Sequence, residues 1–315
     1  MFSIGRSTKM NACIPAINVT NMTNTCTEEA SFAVGATILS PVTMFLAGVL
    51  GNILALSRLY KRRADTRTAK FYNFLIGLAW TDLLGILITT PSVLASYVNG
   101  LKWVGGDMHC RFHGFAMTCF GIATPLIICA MAVERFLALK CVFFYTSKCR
   151  SGTERACILI MWIIVILFSL LPLYGFGSFE KQYPGTWCFL DFHSQELSTK
   201  YYGYIYAMTN MMLIAVIILC NTYVVFTLFK TSILRRMNDK HQCPSLPTSN
   251  GTTGEQEGLV RGRQPSKRRS RSVEIQMSVL LCALTVVFSI CWAPLMVSRS
   301  SLCCLQHWKK RQRSN

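Results

Sequence analysis

The sequence predicts an all-α membrane protein, a bundle of six transmembrane helices. Three observations predict it. The 315 residues are 52% hydrophobic and only 15% charged, where soluble domains carry about a quarter charged residues. Mean hydropathy is +0.38. The apolar residues also fall into six long blocks, about 31–57, 71–98, 112–138, 156–176, 201–229 and 275–298. Each is long enough to cross hydrocarbon, which takes about 20 mostly apolar residues because lipid offers no partner to backbone amides.

In chain order, residues 1–30 read as a short polar extracellular tail, followed by the bundle over 31–298. Asn18 and Asn21 each open an Asn-X-Thr glycosylation triplet there. Basic residues then cluster in alternate connections. Arg58, Lys61, Arg62, Arg63, Arg67 and Lys70 follow the first block. Arg135, Lys140, Lys148, Arg150 and Arg155 surround the end of the third, and Lys230 through Arg271 follow the fifth. By the positive-inside rule these connections face the cytosol and the N-terminus lies outside. The net charge of +18 is therefore mainly a topology signal, and nucleic acid is not an expected partner. Residues 231–273, rich in Pro, Ser, Gly and Arg without periodicity, read as a disordered third cytosolic loop.

Charges inside a membrane are costly, so each is a functional suspect. Asp82, in the middle of the second block, is expected to serve an ion or water network between helices, with Asn52 as its partner. The blander reading is a packed polar cap. Glu134 and Arg135 stand where the third helix meets the cytosol, as a pair that holds itself until a partner protein intervenes; ordinary snorkelling is the alternative. Cys110 and Cys188 would both face the oxidising side, where a disulfide would pin the loop after the fourth helix over the bundle. Trp292 and Pro294 in the sixth block suggest a pivot, since proline removes a helix hydrogen bond. The five histidines suggest no metal or base constellation, so no catalytic residues, metal or cofactor are expected.

Taken together, Gly51-Asn52, Leu78 with Asp82, Cys110, Glu134-Arg135, Trp162, Cys188 and Trp292-Ala293-Pro294 resemble the rhodopsin-like G-protein-coupled receptors. Phe136 stands where that family usually has tyrosine. The string Gln182-Tyr183-Pro184-Gly185-Thr186-Trp187-Cys188-Phe189 resembles the prostanoid receptors within it. Residues 127–135 and 274–277 are most similar to the fourth prostaglandin E subtype, whereas Trp292–Pro294 is nearer to other prostanoid subtypes.

The resemblance implies a rhodopsin-like bundle and a prostaglandin ligand, prostaglandin E2 foremost, under the second extracellular loop. Tyr97 and Thr186 match ligand-contacting positions, with Ser96 and Phe189 beside them. It implies a heterotrimeric G protein, stimulatory and raising cyclic AMP, received near Arg135, Phe144 and Tyr145. Membrane lipids are the surrounding solvent.

A seventh helix is not visible: residues 299–315 form a short, atypical basic tail. The arginine with which that helix pairs the ligand carboxylate is therefore also unseen, and impaired binding and signalling are expected. A second expectation is a non-signalling isoform, retained in the endoplasmic reticulum, that regulates the full-length receptor. A channel or transporter subunit is weaker still, since no arginine-repeat helix, re-entrant loop or internal duplication is present.

Overall fold

The computed structural model describes residues 19–62, 69–141, 145, 152–241, 275–287 and 290. Among these described residues six helices are seen: α1 Val19–Arg62, α2 Ala69–Val98, α3 Gly106–Lys140, α4 Thr153–Leu170, α5 Leu197–His241 and α6 Ile275–Val287. A 3-10 turn over Leu171–Tyr174 extends α4. An antiparallel hairpin, β1 Phe179–Gln182 and β2 Trp187–Leu190, separates it from α5. Within the described residues, five helices carry stretches long and apolar enough to cross a membrane: Ile38–Lys61, Lys70–Val98, Gly106–Lys140, Thr153–Tyr174 and Leu197–Leu234. Of the sixth expected span, only Ile275–Val287 and Ile290 are described.

The spans dictate the interior. α3 is the axis, packed by α2, α4, α5 and both strands. At one end Phe71, Phe74, Ile127, Met131, Ile217, Met277 and Leu281 form a buried cluster. At the other, Ile122, Val165, Phe189, Leu190, Tyr202 and Tyr206 form a second. The outer surface inverts the soluble rule: Leu50, Leu159, Leu167 and Leu219 all point outward and exposed, as lipid-facing side chains must. Several hydroxyls within the helices return to their own helix. Thr81, Thr89, Thr118 and Thr285 each donate to the carbonyl four residues earlier, at 2.6–2.9 Å, because hydrocarbon has no other acceptor to offer.

Two element ends fall elsewhere than the hydropathy blocks. α1 begins at Val19, inside the stretch read as a tail, and α5 runs to His241, inside the stretch read as a loop. Hydropathy senses where a helix enters lipid. It does not sense where the backbone ladder stops.

Candidate functional site

The hairpin is built to lie on the bundle. Its register pairs Phe179 with Leu190, Lys181 with Cys188 and Gln182 with Trp187. The turn closes with Gly185 N–H donating to Gln182 O at 2.7 Å. Gly185 sits at φ +105°, and a Cβ there would stand 3.0 Å from Leu101 O in the α2–α3 connection. Only glycine allows both the turn and that approach. The Trp187 indole N–H donates back to Tyr183 O at 3.2 Å.

Two links hold the hairpin to α3. A disulfide joins Cys110 to Cys188. His113 Nδ1 lies 3.0 Å from Cys188 O and 3.3 Å from Cys188 N; the ring tautomer decides which bond forms. Gly114, the next residue, lets Phe179 of β1 settle directly on the α3 backbone.

Of the expected ligand residues, Thr186 and Ser96 are fully buried, Phe189 is buried, and Tyr97 is half-buried. Phe189 packs edge-on to Tyr206, with ring centroids 5.6 Å apart, and lies beside Trp187 and Phe192. Ser96 donates to Ser92 O at 2.9 Å. The Tyr97 hydroxyl has no hydrogen bond among the described residues. β2 touches both α2 and α3, so the structure gathers these four residues at one end.

Sequence reasoning missed the histidines here. His109 Nε2 lies 2.8 Å from Ser92 Oγ, Trp103 stacks on His109, and the same indole meets His113 edge-on. The signal was their spacing: four residues apart, they share a helix face.

Deeper in the bundle, Thr124 Oγ1 donates to Asp82 Oδ1 at 2.9 Å. The expected partner Asn52 instead donates to Gly48 O in its own helix, at 2.9 Å. A short amide finds the local i−4 carbonyl before it can reach across to α2. Trp162 packs edge-on to Phe120, tying α4 to α3.

At the opposite end, Glu134 and Arg135 are both buried. Arg135 grips the Glu134 carboxylate through Nε at 2.5 Å and Nη2 at 2.7 Å, the bidentate fork that suits guanidinium to carboxylate. Tyr145 donates its hydroxyl to Glu134 Oε1 at 2.5 Å. The guanidinium also lies 5.0 Å from the Phe71 ring centroid, and Nη1 is 3.4 Å from Met277 Sδ. One side chain thus touches α2, α3 and α6. Phe144, Trp292, Pro294, Asn18 and the side chain of Asn21 lie outside the described residues. No group of three or more His, Cys, Asp or Glu among the described residues could hold a metal.

An axial α3, a hairpin linked to its first turns and a buried Glu-Arg pair at its far end define a class. The family described as 7 transmembrane receptor (rhodopsin family) matches residues 51–314, and the chain belongs to it. It is thereby a multi-pass membrane protein of a receptor family, not of an enzyme family. Squid rhodopsin superposes with a TM-score of 0.64 over 85% of this chain and 70% of its own, at 17% identity, a likeness of fold alone.

Among curated relatives, prostaglandin E2 receptor EP4 subtype of Bos taurus is 33% identical over 293 residues, 87% of this chain and 59% of that protein. The Homo sapiens EP4 subtype is 35% identical, over 82% of this chain and 55% of its own length. The Homo sapiens EP3 subtype is 31% identical, over 82% and 63%. The chain spans less than two thirds of the length of these relatives.

Proposed function

We propose that this chain is a prostaglandin receptor in which prostaglandin E2 binds beneath the hairpin. Tyr97, Ser96, Thr186 and Phe189 contact the ligand, and α6 answers at the Arg135 end. The partner there is a heterotrimeric G protein of the stimulatory class, and the output is cyclic AMP. Asp82, Trp292 and Pro294 relay the change, while Glu134, Arg135, Phe144 and Tyr145 face the G protein. In this reading the protein sits in the cell membrane with its N-terminus, carrying sugars at Asn18 and Asn21, outside.

The observation that carries the reading is the burial of Thr186 and Phe189 on a hairpin tied to α3 and touching α2. Similarity to the EP4 and EP3 subtypes names the ligand class. A fatty-acid-derived ligand needs such a place: apolar walls for its chain and a few hydroxyls for its head. Losing one neutral hydroxyl contact costs about 1 kcal/mol, so Thr186→Ala should weaken binding about fivefold.

The test is the chain with an N-terminal epitope in intact cells, read for surface signal, labelled prostaglandin E2 and cyclic AMP. Saturable surface binding that weakens in Thr186→Ala supports the reading. A surface-exposed chain with no saturable binding overturns it.

A further inference from the structure

Resting on the prostaglandin reading above, we propose that the imidazole of His113 on α3 receives the ligand's carboxylate in a polar slot between α2, α3 and β2. Thr89, Ser92 and Ser96 share one face of α2, as their spacing dictates. His109 and His113 face them from α3: Ser92 Oγ lies 2.8 Å from His109 Nε2, and Thr89 lies beside His113. Cys188 of β2 covers the slot, bound to α3 through its disulfide.

One nitrogen of His113 is engaged and the other is not. Nδ1 lies 3.0 Å from Cys188 O and 3.3 Å from Cys188 N. Nε2 has no hydrogen bond among the described residues, although the residue is only 2% exposed. The Thr89 carbonyl lies close to the ring but does not complete a bond to Nε2. A buried polar atom without a partner calls for one. If Nδ1 accepts from Cys188 N–H, the neutral ring carries its proton on Nε2. If the ring is charged, Nδ1–H donates to Cys188 O and Nε2–H is again a donor. Both arrangements present a proton to an anion.

Charge selects which end of the ligand this is. Among the described residues buried at the hairpin end of the bundle, His113 is the one side chain that can carry a positive charge. Arg135 is buried at the far end and gripped by Glu134. Lys102, Arg111 and Lys181 are exposed. No buried acid is described at this end to compete for the imidazole. Trp103 packs on both histidine rings, with centroids 5.2–5.3 Å away, and helps keep water from them. A prostaglandin has one anionic group, its carboxylate, and the rest of its oxygens are neutral. In a dry slot the carboxylate gains most from a charge-assisted donor.

The experiment measures the affinity of the purified 315-residue chain for prostaglandin E2 and for its 1-alcohol, in which CH2OH replaces the carboxylate. The parent should prefer the acid. His113→Phe should weaken binding of the acid about tenfold or more, the worth of a hydrogen bond to a charged group. It should affect the alcohol little, so the ratio of the two affinities falls toward one. His113→Gln keeps a donor but no charge, should fall between, and decides the matter if His113→Phe does not fold. Arg111→Gln, an exposed cation on the same helix, should leave the ratio unchanged. Equal affinity of the parent for both ligands overturns the proposal and leaves the prostaglandin reading standing. So does a ratio unmoved in both His113 variants, or one that falls as far in Arg111→Gln. A parent that binds neither ligand overturns both.

Discussion

Arg135 Nη1 of α3 lies 3.4 Å from Met277 Sδ of α6, so a buried cation meets the neighbouring helix through a thioether. Sulfur of this kind is a weak acceptor, and the guanidinium is already served by Glu134 on two nitrogens. The contact should therefore act mainly by packing. Met277→Leu, which keeps the volume, should cost under about 1.5 kcal/mol, whereas Met277→Ala should cost about 2–5 kcal/mol. Thermal unfolding in detergent reads both. Equal losses in the two variants would mean that the sulfur carries the contact.

The Glu134 carboxylate should be the more demanding partner at this end. It accepts from Arg135 twice and from Tyr145 once. Tyr145→Phe removes one bond to a charged acceptor and should cost about 1.5–3 kcal/mol. Glu134→Ala strands a buried arginine and should cost about 3–5 kcal/mol. If the proposed coupling is right, both variants raise basal cyclic AMP in that order. The reverse order would show that Tyr145, not the Glu134–Arg135 pair, restrains this end.

Gly114 should set how closely the hairpin seats. A Cβ at this position would lie 2.5 Å from Phe179 Cδ1 and 3.0 Å from Phe179 Cβ, so the base of the ring cannot simply swing aside. Gly114→Ala should lift β1, cost about 1–3 kcal/mol through overpacking and, in the proposed function, weaken prostaglandin E2 binding. Phe179→Leu should recover part of the loss when combined with it. A double variant no better than Gly114→Ala alone would place the damage in α3 rather than in the hairpin.

The sequence made the bundle legible because hydrocarbon thickness sets the length of the apolar blocks: block 112–138 lies within helix Gly106–Lys140. Cys110, Cys188, Glu134 and Arg135 were legible because oxidation state and charge cost attach to residue type. Asp82's partner was not. Thr124 reaches Asp82 from α3, a contact set by helix rotation, while Asn52 is spent on its own helix. The hairpin was legible only as a string. Its register depends on the turn at Gly185, and the role of His113 in holding Cys188 depends on that register.

The hairpin should also sense pH. The Glu180 carboxyl is raised above the usual carboxylate range, first by partial burial and then by Asp191, which both repels it and shares a hydrogen bond; His193 opposes the shift. Lys181, the neighbouring cation, is drawn instead toward Asp107 at 3.6 Å. A raised folded-state value means that the folded chain holds this proton more tightly than the unfolded chain. Ionised Glu180 therefore weakens the folded hairpin at neutral pH, and the penalty is relieved as pH falls through the raised value. Glu180→Gln removes the repulsion at all pH and can donate to Asp191. Its unfolding temperature should exceed that of the parent at neutral pH, and the two should converge below the ordinary carboxylate range. A difference between parent and Glu180→Gln that stays constant from neutral to acid would assign the effect to side-chain shape and remove the proton from the account.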